Sequence, residues 1–125
     1  MRIFKTKWFK KWATKEGLSD AALSVAVAEM ERGLIDADLG GQVVKKRVAL
    51  SGRGKSSGAR TLIAYRQGVK TFFVYGFAKN QQANMGDKEL QALKRLAGEL
   101  LGYTDTALTK AVKAGELIEV ANDDE

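Results

Sequence analysis

The sequence predicts an α+β fold in which an N-terminal helical hairpin packs on a small antiparallel β-meander sheet and C-terminal helices follow. Three observations carry this prediction. Apolar side chains recur at helical spacing in residues 6–33 and again in residues 87–115, and three β-branched or aromatic runs lie between them in residues 42–79. A chain of 125 residues, of which 45% are hydrophobic, has the right size for a single domain spanning 1–125.

The helical hairpin comes first, after a short predicted strand at residues 2–4. Trp8, Phe9 and Trp12 share one face of a helix that Gly17 ends, and we assign this face to the core rather than to a partner interface. Ser19 is a good N-cap for the second helix. The apolar stripe of that helix consists of Ala22, Leu23, Ala26, Val27 and Met30.

The predicted strands cover residues 42–50, 59–67 and 70–79, and Gln67 with Gly68 forms a hairpin turn before the third strand. A sheet backed by helices on one face leaves its other face open. Because side chains alternate along a strand, Arg60 and Arg66 share a face. By the same rule a face of the next strand carries Phe73, Tyr75, Phe77 and Lys79. We expect a basic, aromatic open surface that binds phosphates and stacks bases, with Phe77 itself in the core.

The C-terminal part returns to helical spacing. Asp87 is placed to cap a helix whose apolar stripe consists of Leu90, Leu93, Leu96, Ala97, Leu100 and Leu101. Thr104 is placed to cap a second, shorter helix that ends at Gly115, and residues 116–120 predict a last strand. We treat residues 103–125 as a C-terminal extension of the core.

Composition excludes several classes of site. The chain has no cysteine and no histidine, which excludes disulfides, thiolate metal sites, histidine-ligated zinc and histidine acid–base chemistry. No apolar run approaches the roughly 20 residues of a membrane span, and the basic, aromatic N-terminus lacks the pattern of a signal peptide. We expect a cytoplasmic protein with no membrane partner, no metal and no small-molecule cofactor.

The charge is distributed unevenly. Residues 1–80 hold 16 Lys/Arg and 6 Asp/Glu, a net charge of +10, whereas residues 81–125 hold 5 and 9, a net charge of −4. No acidic residue occurs between Asp38 and Asp87. The cations in that interval are Lys45, Lys46, Arg47, Arg53, Lys55, Arg60, Arg66, Lys70 and Lys79. Charge of one sign over so long a segment favours a polyanionic partner over an ordinary mixed surface.

The segment ALSGRGKSSGARTLIAY, residues 49–65, contains the Gly-Lys-Ser step of a nucleotide-binding loop. A Walker A loop needs a glycine where this chain has Ala49, and it needs a helix where residues 59–65 predict a strand. A nucleoside-triphosphate site is therefore disfavoured. Two interpretations stay open from the residues alone: a glycine-rich loop whose amides and cations bind phosphate, or a solvated turn between strands.

The middle of the chain, KKRVALSGRGKSSGARTLIAYRQGVKTFFVYGFAKN, resembles the RelE/HigB toxins of bacterial toxin–antitoxin systems. The local match is a Ser-Ser-Gly-x-Arg step at residues 56–60 that opens a strand, followed by a strand with a basic end at FFVYGFAKN. The order of helices and strands is also similar over about residues 1–100. The resemblance implies a RelE-like fold.

The resemblance also implies a function, a ribosome-dependent mRNA endoribonuclease that inhibits translation without a metal. In such toxins the 2′-hydroxyl of the RNA attacks the adjacent phosphorus. Arg60 then corresponds to the arginine that stabilises the phosphorane, with Arg53, Lys55 and Lys79 as further catalytic candidates. The implied RNA-binding residues are Lys45, Lys46, Arg47, Arg66, Tyr75 and Asn80. The implied partners are a cognate antitoxin protein, the ribosome and mRNA.

Two positions depart from the RelE pattern. Asn80 stands where many of these toxins have a second catalytic arginine, and Gly86 stands near a catalytic tyrosine of some members. Tyr65, Tyr75 or Lys79 are the candidates to replace the missing acid or base. Two alternatives therefore remain open: a ParE-like inhibitor of gyrase, and a non-catalytic RNA- or DNA-binding module.

Overall fold

The structure is a computed structural model that describes residues 1–50, 58–78 and 85–121. It confirms the α+β class, with four helices and six strands in the part of the chain that it describes. In chain order the elements are β1 (Arg2–Thr6), α1 (Lys7–Glu16), α2 (Asp20–Glu31), β2 (Ala37–Gly40), β3 (Val43–Val48), β4 (Ala59–Arg66), β5 (Lys70–Phe77), α3 (Asp87–Leu101), α4 (Asp105–Lys113) and β6 (Leu117–Glu119).

The strand order differs from the simple meander that we predicted. The strands β3, β4 and β5 are consecutive antiparallel neighbours, as expected, but the full order of the sheet is β2-β3-β4-β5-β1-β6. Strand β1 lies parallel to β5, with Phe4 opposite Phe72, and β6 pairs antiparallel with the outer edge of β1. Hairpin turns reveal neighbours in sequence only, so they do not predict the pairing of the two chain ends with the meander.

Helices cover both faces of the sheet. On one side, Phe9 of α1 and Leu23 of α2 pack with Ile63 of β4 in a fully buried cluster. On the other side, Leu101 of α3 packs with Phe72 of β5 in a second cluster that also includes residues of α4. We call these sides the hairpin face and the α3 face. The expectation of one open face is wrong over most of the sheet, because alternate residues of the strands are apolar on both sides.

A β-bulge in β5 changes which of its side chains share a face. Leu62 of β4 lies opposite Tyr75, but the next residue, Ile63, lies opposite Phe73, so Val74 is the extra residue. Phe73 therefore points to the hairpin face, whereas Val74 and Tyr75 both pack with the α3 cluster. The prediction that Phe73 shares a face with Tyr75 is wrong, because strict alternation holds only along a regular strand.

Side chains cap three of the four described helices, and two of these caps, Ser19 and Thr104, are the residues that we predicted. Thr6, Ser19 and Thr104 cap α1, α2 and α4, and each accepts a hydrogen bond from the backbone N–H three residues on. Helix α3 begins instead after Gly86 and has no side-chain cap, and the predicted cap Asp87 is its first helical residue. Within the described ranges, none of the helices is both long and apolar enough to cross a lipid bilayer.

Residues 103–121 belong to the same packed core as the rest of the described chain. Leu108 of α4 and Leu117 of β6 are buried in the α3 cluster. Arg2 of β1 forms an ion pair with Glu119 of β6, with 2.9 Å between Nη2 and Oε1. This packing supports the proposal that the chain is a single domain.

Candidate functional site

The candidate site lies on the α3 face, where β3 and β5 end and β4 begins. Two cross-strand rows of side chains meet there, in register across the three strands. The outer row is Arg47, Arg60 and Phe77, and the inner row is Lys45, Leu62 and Tyr75. Two residues along a strand separate the rows, a distance of about 7 Å. All of these side chains except Leu62 are at least partly exposed, so cations and aromatic rings share one surface, which we call the cleft.

Arg60 is held in the cleft by its own backbone. Its Nη1 donates a hydrogen bond to the carbonyl oxygen of Gly58, 2.8 Å away, and the side chain is half-buried. The structure shows no other hydrogen bond of this guanidinium to the described residues, and a guanidinium has five N–H donors. Arg60 therefore presents donors that suit the oxygens of a phosphate.

Gly58 explains why the Ser-Ser-Gly-x-Arg step needs its glycine. A Cβ at this position would lie 2.1 Å from the carbonyl oxygen of Val48, the last residue of β3. Only glycine lets the chain enter β4 so close to the end of β3. That close approach fixes the carbonyl that anchors Arg60.

Arg47 stands directly opposite Arg60 and is held by a carboxylate. Its Nε lies 3.0 Å from Oδ1 of Asp36, and its backbone N–H donates to Oδ2 at 2.7 Å. Burial alone would raise the pKa of Asp36, but these hydrogen bonds and the charges of Arg47 and Lys46 lower it overall. The ionised Asp36 offsets the repulsion between the two facing arginines.

The structure corrects the role that we expected for Lys46. Its side chain points to the hairpin face, the opposite face from Lys45 and Arg47. Its Nζ lies 2.9 Å from a carboxylate oxygen of Glu29 and donates to the carbonyl of Leu34 at 2.8 Å. Lys46 is only 3% exposed, so it is a buried structural cation and does not line a surface for RNA.

Arg66 shares the face of Arg60 but lies at the other end of β4. Six residues of strand separate them, about 20 Å, and the buried Leu62 and Ala64 lie between. Nη1 of Arg66 donates to the carbonyl of Leu101, the last residue of α3, at 3.4 Å. The expected single surface that includes both arginines is therefore not formed.

Tyr65 is excluded from the cleft as a proton donor or acceptor. It points to the hairpin face and its hydroxyl donates a hydrogen bond to the carboxylate of Glu31. Burial, then the hydrogen bond and the negative charge of Glu31, raises the pKa of Tyr65. A phenol that is buried and bonded in this way serves the packing of α2 against the sheet.

Tyr75 and Phe77 line the cleft, and a third aromatic residue joins them. Both are half-buried and pack against the α3 cluster. The indole of Trp8 stacks on Tyr75 with 4.6 Å between ring centroids. We had assigned Trp8 to the core, yet it is 47% exposed, whereas Phe9 is fully buried. Helical geometry gave a signal for this, because Trp8 lies about 140° from the buried Ala13 on the wheel of α1.

The remaining predicted site residues, Arg53, Lys55, Lys79 and Asn80, lie outside the described residues. The described residues that flank their two segments are Leu50, Gly58, Ala78 and Met85. Met85 packs against the same cluster as Tyr75 and Phe77. The roles of the four residues stay predictions.

The comparisons with known proteins give a family for this arrangement. A family model described as the RelE toxin of the RelE/RelB toxin-antitoxin system matches residues 1–120. The matched segment includes α4 and β6, which we had treated as an extension of the core. No curated protein matches the chain significantly. Because the match covers nearly the whole chain, the protein belongs to the RelE toxin family of toxin–antitoxin systems.

Proposed function

We propose that this protein cleaves mRNA on the ribosome and thereby inhibits translation, as the toxin of a toxin–antitoxin pair. One observation carries the proposal: Arg60 is anchored to Gly58 at a cleft where it still presents phosphate-binding donors beside aromatic side chains. The family membership of the chain supports the same function and implies a cognate antitoxin. We propose the cytoplasm as the place of action.

The proposed reaction is an attack within the RNA. The 2′-oxygen bonds to the adjacent phosphorus, the bond to the 5′-oxygen breaks, and a 2′,3′-cyclic phosphate forms. A base takes the proton of the 2′-hydroxyl, and an acid protonates the leaving 5′-oxygen. The guanidinium of Arg60 donates hydrogen bonds to the non-bridging oxygens, where negative charge increases in the transition state.

The proposed reaction needs an acid and a base. We propose Arg53, Lys55 and Lys79 for these roles, as the resemblance implies, and Tyr75 as the further candidate that lines the cleft. The ribosome would orient the RNA, which supplies much of the rate enhancement when functional groups are weak acids or bases. The proposed enzyme needs no cofactor.

Binding of the RNA backbone is assigned to the same end of the sheet. Lys45 and Arg47 face the cleft with Arg60, and Tyr75 offers a ring for stacking. We propose Asn80 as a further contact. Lys46 is removed from this set because it is buried, and Arg66 is removed because it lies at the far end of β4.

A second candidate is a non-catalytic RNA-binding module with the same cleft. The observation that favours it is Gly86, which the structure places immediately before α3. A glycine provides no acid or base near the position where some relatives have a catalytic tyrosine. This module would bind RNA through Lys45, Arg47 and Arg60 and leave it intact.

The test is induced expression in cells that also carry a translated reporter mRNA. Primer extension should show codon-phased cuts with the wild type, none with Arg60→Ala, and unchanged cuts with Arg32→Ala. Arg32 is a matched control because it is an exposed arginine at the end of α2, outside the cleft. Growth arrest with intact mRNA would point to another target, such as gyrase. Intact mRNA with normal growth would favour the binding module.

A further inference from the structure

Four aromatic rings form a continuous row at the open end of the sheet. Tyr75 lies 6.5 Å from Phe77, and Trp8 is nearly parallel to Tyr75, with 4.6 Å between centroids and an interplanar angle of 19°. Trp12 is also nearly parallel to Trp8, with 6.2 Å between centroids. Trp8 is 47% exposed. Trp8 is therefore the most exposed of the four rings.

Three local features of the fold build this row. The β-bulge at Val74 brings Tyr75 to the α3 face, where regular alternation would have placed its neighbour. The Thr6 cap starts α1 at the end of β1, so that Trp8 falls in the first turn beside β5. A Cβ at Gly76 would lie 2.2 Å from the ring of Trp12, so only glycine lets α1 pack this closely on β5. Bulges next to active sites commonly re-aim a side chain in this way.

Cations lie at the end of the row that faces Arg60, and further cations neighbour Trp8 in the sequence. Arg60 lies opposite Phe77. Lys45 lies on the same cross-strand line of residues as Leu62 and Tyr75. On α1, the exposed Lys7 and Lys11 flank Trp8 in sequence, and neither forms an ion pair with a carboxylate in the described ranges. An exposed aromatic ring in a basic part of the surface suits single-stranded RNA, in which bases alternate with phosphates.

We propose that Trp8, stacked on Tyr75, forms a subsite that stacks one nucleobase beside the phosphate held at Arg60. This inference deepens the proposed function and rests on it. Trp8 positions the RNA and does not take part in the bond changes. An indole is the largest ring for base stacking, and its support by Tyr75 means that little ordering is left to occur when the base arrives.

The test uses the purified full-length protein and a short single-stranded RNA with 2′-O-methyl groups, which bind but cannot attack the phosphorus. Trp8→Leu keeps an apolar contact with Tyr75 but removes the aromatic ring, and it should weaken binding about tenfold. Trp8→Phe should stay within about threefold of the wild type. Val69→Ala is the matched control, because Val69 is 44% exposed and precedes the opposite end of β5, and it should bind like the wild type.

Two further readouts separate stacking from a merely structural role. Trp8→Leu should leave the salt dependence of binding unchanged, whereas Lys45→Ala should reduce the slope against the logarithm of salt concentration by about 0.7. The RNA should quench tryptophan fluorescence in the wild type, and Trp8→Phe should lose most of that quenching while it still binds. Thermal unfolding of each variant shows whether the fold is intact.

Several outcomes would overturn the subsite. They are equal affinity of Trp8→Leu and wild type, a reduced salt slope in Trp8→Leu, or no measurable binding of the RNA to the wild type. Unchanged RNA binding with lost antitoxin binding would assign Trp8 to a protein interface instead. If the wild type binds RNA through Trp8 but cleaves no reporter mRNA, the subsite stands and the proposed nuclease function fails.

Discussion

The two ends of strand β4 carry the same charge on the same face of the sheet, but the protein uses that charge differently. At one end Arg60 lies opposite Arg47, and at the other end Arg66 lies opposite Lys70. Arg66 and Lys70 both donate to main-chain carbonyls where α3 ends, those of Leu101 and Tyr103. Arg60 has only the carbonyl of Gly58 as a partner among the described residues.

The difference follows from the direction of α3 across the sheet. The last carbonyls of a helix lack internal partners and lie at the negative end of its dipole, so they attract cations. Helix α3 ends at Leu101, beside Arg66, and the partners of Arg66 and Lys70 are thus built into the fold. At the other end the guanidinium keeps donors for a ligand. Residue type and strand parity alone do not distinguish these two roles.

The largest expected effect is on the rate of cleavage, which should depend on the arginine at one end of β4 and not on the arginine at the other end. Arg60→Ala should lower the single-turnover rate of cleavage on purified ribosomes by about 10² to 10³, the usual loss when a donor to the transition state is removed. Arg66→Ala should change that rate less than about threefold and lower the free energy of unfolding by at most about 0.5 kcal/mol. Equal losses of rate in the two variants would contradict the distinction.

The second prediction compares neighbouring lysines on opposite faces of β3. Lys46→Ala leaves Glu29 in the interior without this cation and should lower the free energy of unfolding by about 3 kcal/mol. The matched variant Lys45→Ala should leave stability within about 0.5 kcal/mol and instead weaken RNA binding. Denaturant unfolding and RNA titration of both variants measure this. A stable Lys46→Ala with weakened RNA binding would reverse the assignment.

The third prediction concerns the glycine that anchors Arg60. Gly58→Ala would force its Cβ against the carbonyl of Val48 and should cost about 2 kcal/mol of stability, because the backbone must shift. The control is Gly98→Ala in α3, where a Cβ meets nothing within 4 Å. It should stabilise the protein by up to about 1 kcal/mol, since alanine favours a helix. Chemical unfolding should therefore give opposite signs for the two variants.

Much of the fold could be predicted from local signals. The caps at Thr6, Ser19 and Thr104, the turn at Gly68 and the three central strands follow from short-range chemistry. The parallel pairing of β1 with β5 could not be predicted in this way, because no turn joins those strands. It was possible to predict that helices also cover the second face of the sheet, since the apolar stripe that includes Leu101 must pack against an apolar surface.

The candidate site was predictable in part for similar reasons. Arg60, Tyr75 and Lys45 were found from charge, strand pattern and resemblance, and the structure places them on one surface. Side chains alternate along β3, so Lys46 points away from the face of Lys45 and Arg47. Its burial follows once it is known that Lys45 and Arg47 face the cleft. Trp8 was assigned to the core although its position on the wheel of α1 argued against this. Its contact with Tyr75 could not be predicted, because the bulge at Val74 has no sequence signal of its own.

The smallest expected effect is a pH dependence of the free energy of unfolding, which comes from Asp36, the carboxylate that is paired with Arg47. The pKa of Asp36 is lowered from its ordinary value of 3.8, because hydrogen bonds from Arg47 outweigh the effect of burial. The unfolded chain thus binds this proton more readily, so the stabilisation is complete above about pH 5 and is lost as the pH falls through the lower folded-state pKa.

Asp36→Asn removes this titration, and the variant should be less stable than the wild type by less than about 1 kcal/mol near pH 6. The difference should begin to shrink as the pH falls below the ordinary value of 3.8, and it should be lost as the pH passes through the lower folded-state pKa, where the wild-type carboxylate also becomes neutral. Denaturant unfolding of both proteins over this range measures the effect. A difference that is constant with pH would show that Asp36 acts through shape alone and that its charge does not hold Arg47 opposite Arg60.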